Sequence, residues 1–160
     1  MELSDLKNTI ESISKQWMLI SAIDKSGKAN AMTASWGGVG ELWGKDVVFI
    51  FIRPQRYTKE FVDQAENVSI SFFDDSYRAM YNYMGSKSGR DVDKIQNQNL
   101  HFEVIDEAPV FKEAEHTIIA KKLYVQEMKP ECFLDESQIE KWYKLKDFHY
   151  MYIAQIIKTI

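Results

Sequence analysis

A strand that ends abruptly in charged and hydroxyl groups constrains this chain more than any other stretch. Residues 47–52 read VVFIFI, a run too short for a buried helix and rich in β-branched and aromatic side chains. It therefore predicts a strand that other elements cover on both faces. Residues 53–58, RPQRYT, follow at once and place two arginines and a threonine at the end of that strand.

A helix is predicted to begin at this point. Tyr57, Phe61 and Ala65 recur at four-residue spacing, so a helix over 57–65 would pack that stripe inward. Its free N–H groups and the positive end of its dipole would lie beside the two guanidinium groups and the threonine hydroxyl. Such a combination suits a phosphate or a carboxylate. The alternative is that both arginines are solvated or pair with nearby acids.

An N-terminal hairpin is predicted to present one unusually small face. Residues 17–36 read as two strands joined by the turn KSGK. On the second strand, Ala31, Thr33 and Ser35 share an alternating face. A planar heteroaromatic ring could lie against this face, with a neighbouring methionine or tryptophan packing beside it. Equally, the small face could pack under a helix.

A second loop with phosphate-binding side chains is predicted between two helices. Residues 76–84 predict a helix that Gly85 stops, and residues 91–97 predict the next one. The loop between them contributes three polar side chains, Ser86, Lys87 and Ser88. Its spacing is not that of a triphosphate-binding loop. The alternative is a solvated turn in which Ser88 and Asp91 cap the following helix.

Most remaining segments predict β-structure. Strands are expected over residues 67–73, 100–105, 110–111, 116–126 and 149–157. Other predicted features are a helix over 3–13, a glycine-rich loop over 37–40, a bulge at Lys121–Lys122 and a helical excursion over 131–144. At least six strands with few helices predict a mainly β fold with flanking helices, closed into a barrel.

Composition narrows the class of protein. The 160 residues predict a single domain over 1–160, and one cysteine, Cys132, rules out an intrachain disulfide. The net charge of −4 gives no footprint for nucleic acid or an anionic membrane. Three scattered histidines share no metal-ligand spacing. The acidic N-terminus and the lack of a long apolar run predict a cytoplasmic protein without a membrane span.

Four stretches in order carry a resemblance to a known family. Residues 30–37, 53–58, 71–73 and 85–94 together resemble the flavin reductase-like, FMN-binding split-barrel family, and within it the flavoredoxin-type members. The resemblance extends over about residues 17–157. It implies a six-stranded antiparallel split barrel that forms a homodimer and holds one FMN per subunit near the interface.

The same resemblance implies which residues hold the cofactor. They are Asn30, Met32, Thr33, Ala34, Ser35, Trp36, Arg53, Arg56, Tyr57, Thr58, Ser86, Lys87 and Ser88. Residues 32–36 would line the isoalloxazine ring, and the remainder would hold the phosphate and ribityl chain. No catalytic role is assigned to His149. The chain departs from the family pattern at Ala154 and Gln155, where Gly and Glu are expected, and a side chain at Ala154 would crowd a close backbone approach.

The expected function is that of an FMN-dependent oxidoreductase. NAD(P)H would reduce FMN, and the electrons would pass to another flavin, an iron complex or a protein acceptor. The rival is a flavoredoxin-type electron carrier that a partner protein reduces and that has no useful NAD(P)H site. A nucleic-acid-binding small barrel is disfavoured by the acidic charge balance.

Overall fold

Seven antiparallel strands form the framework of the protein, whose computed structural model describes residues 9–160. Their order across the sheet is β2-β1-β5-β8-β9-β4-β3, and β6 and β7 form a separate pair. The strands are β1 Met18–Ile23, β2 Ala29–Ala34, β3 Gly37–Leu42, β4 Lys45–Ile52, β5 Asn67–Phe72, β6 Phe102–Ile105, β7 Ala108–Phe111, β8 His116–Glu127 and β9 Tyr150–Thr159. The helices are α1 Thr9–Glu11, α2 Tyr57–Gln64, α3 Arg78–Ser86, α4 Lys94–Asn97 and α5 Ser137–Trp142.

Two apolar clusters hold the framework together. The larger cluster joins the inner faces of the sheet to Phe61 and Val62 of α2. A second cluster lies on the other side of β1 and β2, where Met80, Tyr81 and Met84 of α3 pack. β1 therefore has both faces covered. Burial of these side chains is the main favourable term in folding.

The expected six-stranded split barrel is corrected in strand number. Within residues 9–160, the large sheet has seven strands, and β2 and β3 at its two ends do not pair with each other. The extra strand is β3, which includes the stretch predicted as a glycine-rich loop. Gly37 pairs with Ile50 of β4, and a Cβ at Gly37 would lie 2.7 Å from the carbonyl oxygen of Phe49. A close approach between two backbones requires glycine at this position.

The predicted strand over 47–52 is confirmed within β4, and the hairpin is confirmed as β1 paired with β2. α2 is also where the sequence places it, but the residues that face the core differ from the predicted stripe of Tyr57, Phe61 and Ala65. Thr58, Phe61 and Val62 are its buried residues, whereas Tyr57 and Ala65 are half-buried.

Other boundaries shift for local reasons. α3 continues through Gly85 to Ser86, so this glycine is not a helix stop. α4 begins only at Lys94, because Asp93 caps it by accepting a hydrogen bond from the Gln96 N–H at 3.0 Å. The proposed cap by Ser88 and Asp91 is therefore wrong. The predicted bulge is confirmed by a register shift of β8 between Lys122 and Tyr124.

Residues 128–149 form an excursion between β8 and β9. It contains a short helical turn at Pro130–Cys132 and then α5, in place of the longer predicted helical segment. The Met128 N–H donates to the His149 carbonyl at 2.9 Å, so the excursion leaves the sheet and returns at the same place.

At the N-terminus, residues 3–8 of the helix predicted over 3–13 lie outside the described residues. From Thr9 to Gln16 the chain is helical, with Ile13 buried as expected and Ile10 79% exposed. Among residues 9–160, no helix has the length and apolar character that crossing a membrane requires.

Candidate functional site

A cavity of about 220 Å³ opens where β2 and β4 end. Its lining residues are Met32, Thr33, Ala34, Ser35, Trp36, Phe51, Arg53, Arg56, Trp142 and His149. A neighbouring cavity of about 270 Å³ shares Thr33, Ala34 and Ser35 and extends to Gly85 and Ser86 of α3. The end of β2 is thus the common wall of both spaces, with the two arginines on one side and the 86–88 loop on the other.

Two roles were predicted for the small face of β2, packing under a helix and supporting a planar ring, and different parts of the strand suit each. Ala31 is fully buried among the α3 side chains. Thr33 donates its hydroxyl to the Tyr81 carbonyl at 2.5 Å, and a Cβ on Gly85 would lie 3.4 Å from the Thr33 Cβ. The first half of this face therefore packs under α3. From Thr33 onward the strand borders the cavities and can support a flat group.

Arg56 is the group in the cavity wall with unused donor capacity. Its Nη1 donates to the Gly85 carbonyl at 2.7 Å, while its Nη2 is buried without a hydrogen-bond partner. Burial lowers the pKa of this guanidinium from its ordinary value. A buried N–H donor without an acceptor is costly, so the geometry favours an anionic acceptor at this position.

Arg53 lines the same cavity but is already engaged. Its Nη1 lies 2.6 Å from Asp147 Oδ2, and its Nη2 donates to the Trp142 carbonyl at 2.9 Å. Gln55 donates to the same carboxylate oxygen at 2.7 Å. Desolvation acts to raise the pKa of Asp147, but the net shift is downward because these donors stabilise its charged form. Arg53 therefore fastens the excursion to the end of β4.

The two loops that the sequence singled out meet in space. A Cβ on Gly89 would lie 2.3 Å from Asn30 Oδ1 and 3.0 Å from the Tyr57 ring, so the backbone touches both residues. Asn30 in turn donates to the Thr58 hydroxyl at 2.9 Å. The guanidinium of Arg90 lies 4.7 Å from the Tyr57 ring centre. Contacts from β2 and the start of α2 therefore position the 86–90 loop.

The predicted loop residues differ in position. Ser86 lines the second cavity, and the Lys87 side chain is exposed. Ser88 accepts a hydrogen bond from the Arg90 N–H at 3.2 Å. Asn30, Tyr57 and Thr58 support the loop without lining the first cavity. Their part in cofactor binding stays a prediction.

Lys94 is a buried cation to which the sequence assigns no role. Its side chain is 3% exposed, and its Nζ donates to the Met84 carbonyl at 2.9 Å. Burial and the nearby charge of Arg56 lower the pKa of Lys94 to about 8. Only the tertiary packing of α4 against β2 buries this residue, and the sequence pattern carries no signal of it.

Aromatic rings close the other end of the cavity. The Trp36 ring centre lies 5.0 Å from that of Trp142 and 5.1 Å from that of His149. His149 Nδ1 is 2.8 Å from the Tyr143 hydroxyl. Burial, and next the charge of Arg53, lower the pKa of His149 to about 4, so the imidazole is neutral near pH 7. Trp142 was missed from sequence, because its helix is polar and distant along the chain.

The departure at Ala154 and Gln155 lies away from the cavity. Ala154 is fully buried in the larger core cluster and pairs with Val48 on β4, while Gln155 pairs with Val47. Neither residue lines either of the two cavities. The expected crowding at Ala154 therefore does not reach the candidate site. In the described part of the chain, no three His, Cys, Asp or Glu side chains form a possible metal-binding group.

The chain is similar to known proteins in sequence pattern and in fold. A family model described as the flavin reductase like domain matches residues 10–126. Flavoredoxin of Desulfovibrio vulgaris is 18% identical with a TM-score of 0.70, covering 90% of this chain and 68% of that protein. An FMN-binding protein from Thermus thermophilus with bound 1-cyclohex-2-enone is 19% identical with a TM-score of 0.69, covering 90% and 68%.

A third similar structure comes from Shewanella frigidimarina and is described as being of flavin reductase type with a split barrel domain. It is 18% identical with a TM-score of 0.71, covering 99% of this chain and 74% of that one. A comparison with curated proteins finds no match. The mainly β framework with flanking helices is therefore that of the split-barrel proteins.

Proposed function

The chain belongs to the flavin reductase-like domain family, and we propose that it is an FMN-binding oxidoreductase. In this proposal NAD(P)H supplies electrons and a flavin, an iron complex or a protein receives them. The observation that carries the cofactor assignment is the buried, unpartnered Nη2 of Arg56 in the wall of the cavity. A negatively charged acceptor would satisfy it most strongly, and a phosphate supplies one.

The described residues fit the parts of FMN. Residues 32–36 line the first cavity and offer a wall for the ring system, and Trp36 packs against Trp142 there. Arg56, which donates to the Gly85 carbonyl, and Ser86, which lines the second cavity beside α3, would hold the phosphate end. When bound, FMN supplies hydride acceptance and single-electron transfer. The chain's own residues hold it, orient it and limit the access of water.

His149 acts in this proposal as a neutral hydrogen-bonding group. The charge of Arg53 opposes protonation of the imidazole, and the Tyr143 hydroxyl fixes the direction of its ring. It therefore orients a ligand in the cavity and does not deliver a proton near pH 7.

The alternative is a flavoredoxin-type electron carrier, which the position of Trp142 favours. This ring stands edge to face against Trp36 at the cavity mouth, and Arg53 holds its backbone carbonyl. A nicotinamide ring would have to enter beside this pair of tryptophans. If the pair keeps the nicotinamide out, a partner protein would reduce the cofactor. A homodimer and a cytoplasmic location are part of both proposals.

The experiment is to purify the protein, reconstitute it with FMN and record the visible flavin spectrum. The proposal expects bound FMN that NADH or NADPH bleaches without oxygen. A lack of flavin binding after reconstitution refutes both proposals. Bound FMN that neither nicotinamide reduces supports the carrier. In that case Trp142→Ala is expected to raise the rate of bleaching, whereas Leu145→Ala on the same excursion serves as the exposed control.

A further inference from the structure

Two cations, the buried Lys94 and the half-buried Arg56, converge on the C-terminal end of α3. Lys94 Nζ donates to the Met84 carbonyl at 2.9 Å, and Arg56 Nη1 donates to the adjacent Gly85 carbonyl at 2.7 Å. The two charges come from different elements, α4 and the start of α2, and are close enough for Arg56 to disfavour the charge on Lys94. Folding has therefore brought two like charges together out of water.

Neither cation has an acidic partner in the part of the chain that the structure describes. The ion pairs there use other groups: Arg53 pairs with Asp147, and Arg90 with Glu60. Asp93, the acid next to Lys94 in sequence, caps α4 through the Gln96 N–H. The negative end of the α3 dipole offsets a fraction of one charge. A buried Lys94 and a buried, unpartnered Arg56 Nη2 without a counterion are destabilising.

We propose that Lys94 is a positioning countercharge which, together with Arg56, makes the phosphate end of the site selective for a dianion. A monoanion would balance one of the two charges, whereas a phosphate monoester balances both. Lys94 does not line either of the two cavities beside the β2 end. It acts through Arg56 and through the adjacent α3 carbonyls of Met84 and Gly85, to which Lys94 and Arg56 respectively donate. This inference rests on the proposed function where it identifies the dianion as the phosphate of FMN.

The arrangement links anion binding to proton binding. In the free protein burial holds the pKa of Lys94 at about 8, and a dianion nearby raises it. The groups that act on Lys94 are the Arg56 cation at the start of α2 and the Met84 carbonyl of α3, while the Asp93 carboxylate on α4 accepts from the Gln96 N–H. Formation of the complex at pH 8.5 therefore draws a proton onto Lys94.

The test is calorimetric titration of the apo-protein at pH 8.5 in two buffers of different ionisation enthalpy. FMN, whose phosphate is already a dianion at this pH, is expected to bind with uptake of about 0.8 proton, the neutral fraction of a group with a pKa near 8. Riboflavin lacks the phosphate and is expected to bind without uptake. These measurements use the natural chain, so they do not depend on the folding of a variant.

Variants then assign the proton to the residue. Lys94→Met is expected to abolish the uptake and to weaken FMN by roughly 10-fold or more, the equivalent of one charge-assisted hydrogen bond. Riboflavin binding should change by less than about threefold, since no phosphate is involved. The exposed Lys25→Met is the matched control and should behave as the natural protein does. Circular dichroism checks that each variant is folded.

The outcomes separate this inference from the proposed function. FMN binding without proton uptake at pH 8.5, or uptake that persists in a folded Lys94→Met variant, overturns the role of Lys94 and leaves the flavoprotein intact. Equal weakening of FMN and riboflavin by Lys94→Met also overturns it, because that result describes a purely structural lysine. Proton-linked binding of inorganic phosphate without any FMN binding supports the dianion site and refutes the flavoprotein.

Discussion

The two arginines of the cavity are expected to respond differently to the same substitution. Arg56→Met removes a guanidinium whose Nη2 has no partner in the protein. Arg53→Met removes one whose Nη1 and Nη2 already bind Asp147 and the Trp142 carbonyl. The sequence gives both arginines the same phosphate role, whereas the structure separates a free donor from an engaged one.

The expected magnitudes follow from these contacts. A charge-assisted hydrogen bond contributes about 1.5–3 kcal/mol, so Arg56→Met should weaken FMN by roughly 10- to 150-fold relative to riboflavin. The Arg53 charge is largely balanced by a partly exposed ion pair, so Arg53→Met should shift the same ratio by less than about threefold. It should instead weaken both ligands together, because the excursion is no longer fastened to β4.

The assay is fluorescence titration of apo-protein with FMN and with riboflavin, each at low and high salt. Hydrogen exchange of residues 134–147 provides a second measurement, which should accelerate in Arg53→Met and stay unchanged in Arg56→Met. The reasoning is refuted if Arg53→Met changes the FMN-to-riboflavin ratio more than Arg56→Met does.

Three further substitutions test the groups around the site. The pKa of His149 is about 4 in the folded state against 6.5 for the free side chain, so the unfolded chain protonates first as the pH falls. The stability that the neutral imidazole contributes is complete above pH 6.5 and is lost as the pH falls toward 4. After allowance for solvent screening, the free energy of unfolding should fall by about 1 kcal/mol between pH 7 and 5. Urea unfolding at each pH should show this loss in the natural protein and not in His149→Gln. Gly89→Ala would place a Cβ 2.3 Å from Asn30 Oδ1 and should cost about 1–3 kcal/mol and weaken FMN. Gly38→Ala, which has open space around it, should do neither, and equal effects of the two glycine substitutions on thermal unfolding would contradict the contact. Asp93→Ala removes the α4 cap and should lower the free energy of unfolding by about 1 kcal/mol; no change in the urea midpoint would argue against the cap.

Local patterns predicted the elements that deliver the site. The run over 47–52 was too short for a buried helix and lies in β4, although Phe49 and Phe51 on one of its faces are only half-buried, and the turn before Ala29 indicated the hairpin. These signals are local because periodicity and turn chemistry act over a few residues. They correctly placed Arg56 at the start of a helix.

Long-range contacts could not be predicted in the same way. Arg53 meets Asp147 across 94 residues, and nothing near Arg53 in the sequence indicates that its charge is taken. A lysine in a polar helical segment is ordinarily exposed to solvent, and Lys94 is buried only because α4 packs against β2. The glycines after residue 36 have low strand propensity, so the sequence predicts a loop there. In the structure they form β3, where Gly37 lies too close to the Phe49 carbonyl for a side chain to fit.

The backbone hydrogen bond between Met128 and His149 joins the two ends of the excursion, so the segment between them can be replaced by another loop. A graft between these points would keep the hydrogen bond that closes the excursion at 2.9 Å and would leave the pairing of β8 with β9 undisturbed. The family match ends at residue 126, before the excursion begins. Exchanging residues 129–148, with an acid kept opposite Arg53, would change the residues that cover the cavity while its walls from β2 and β4 stay the same.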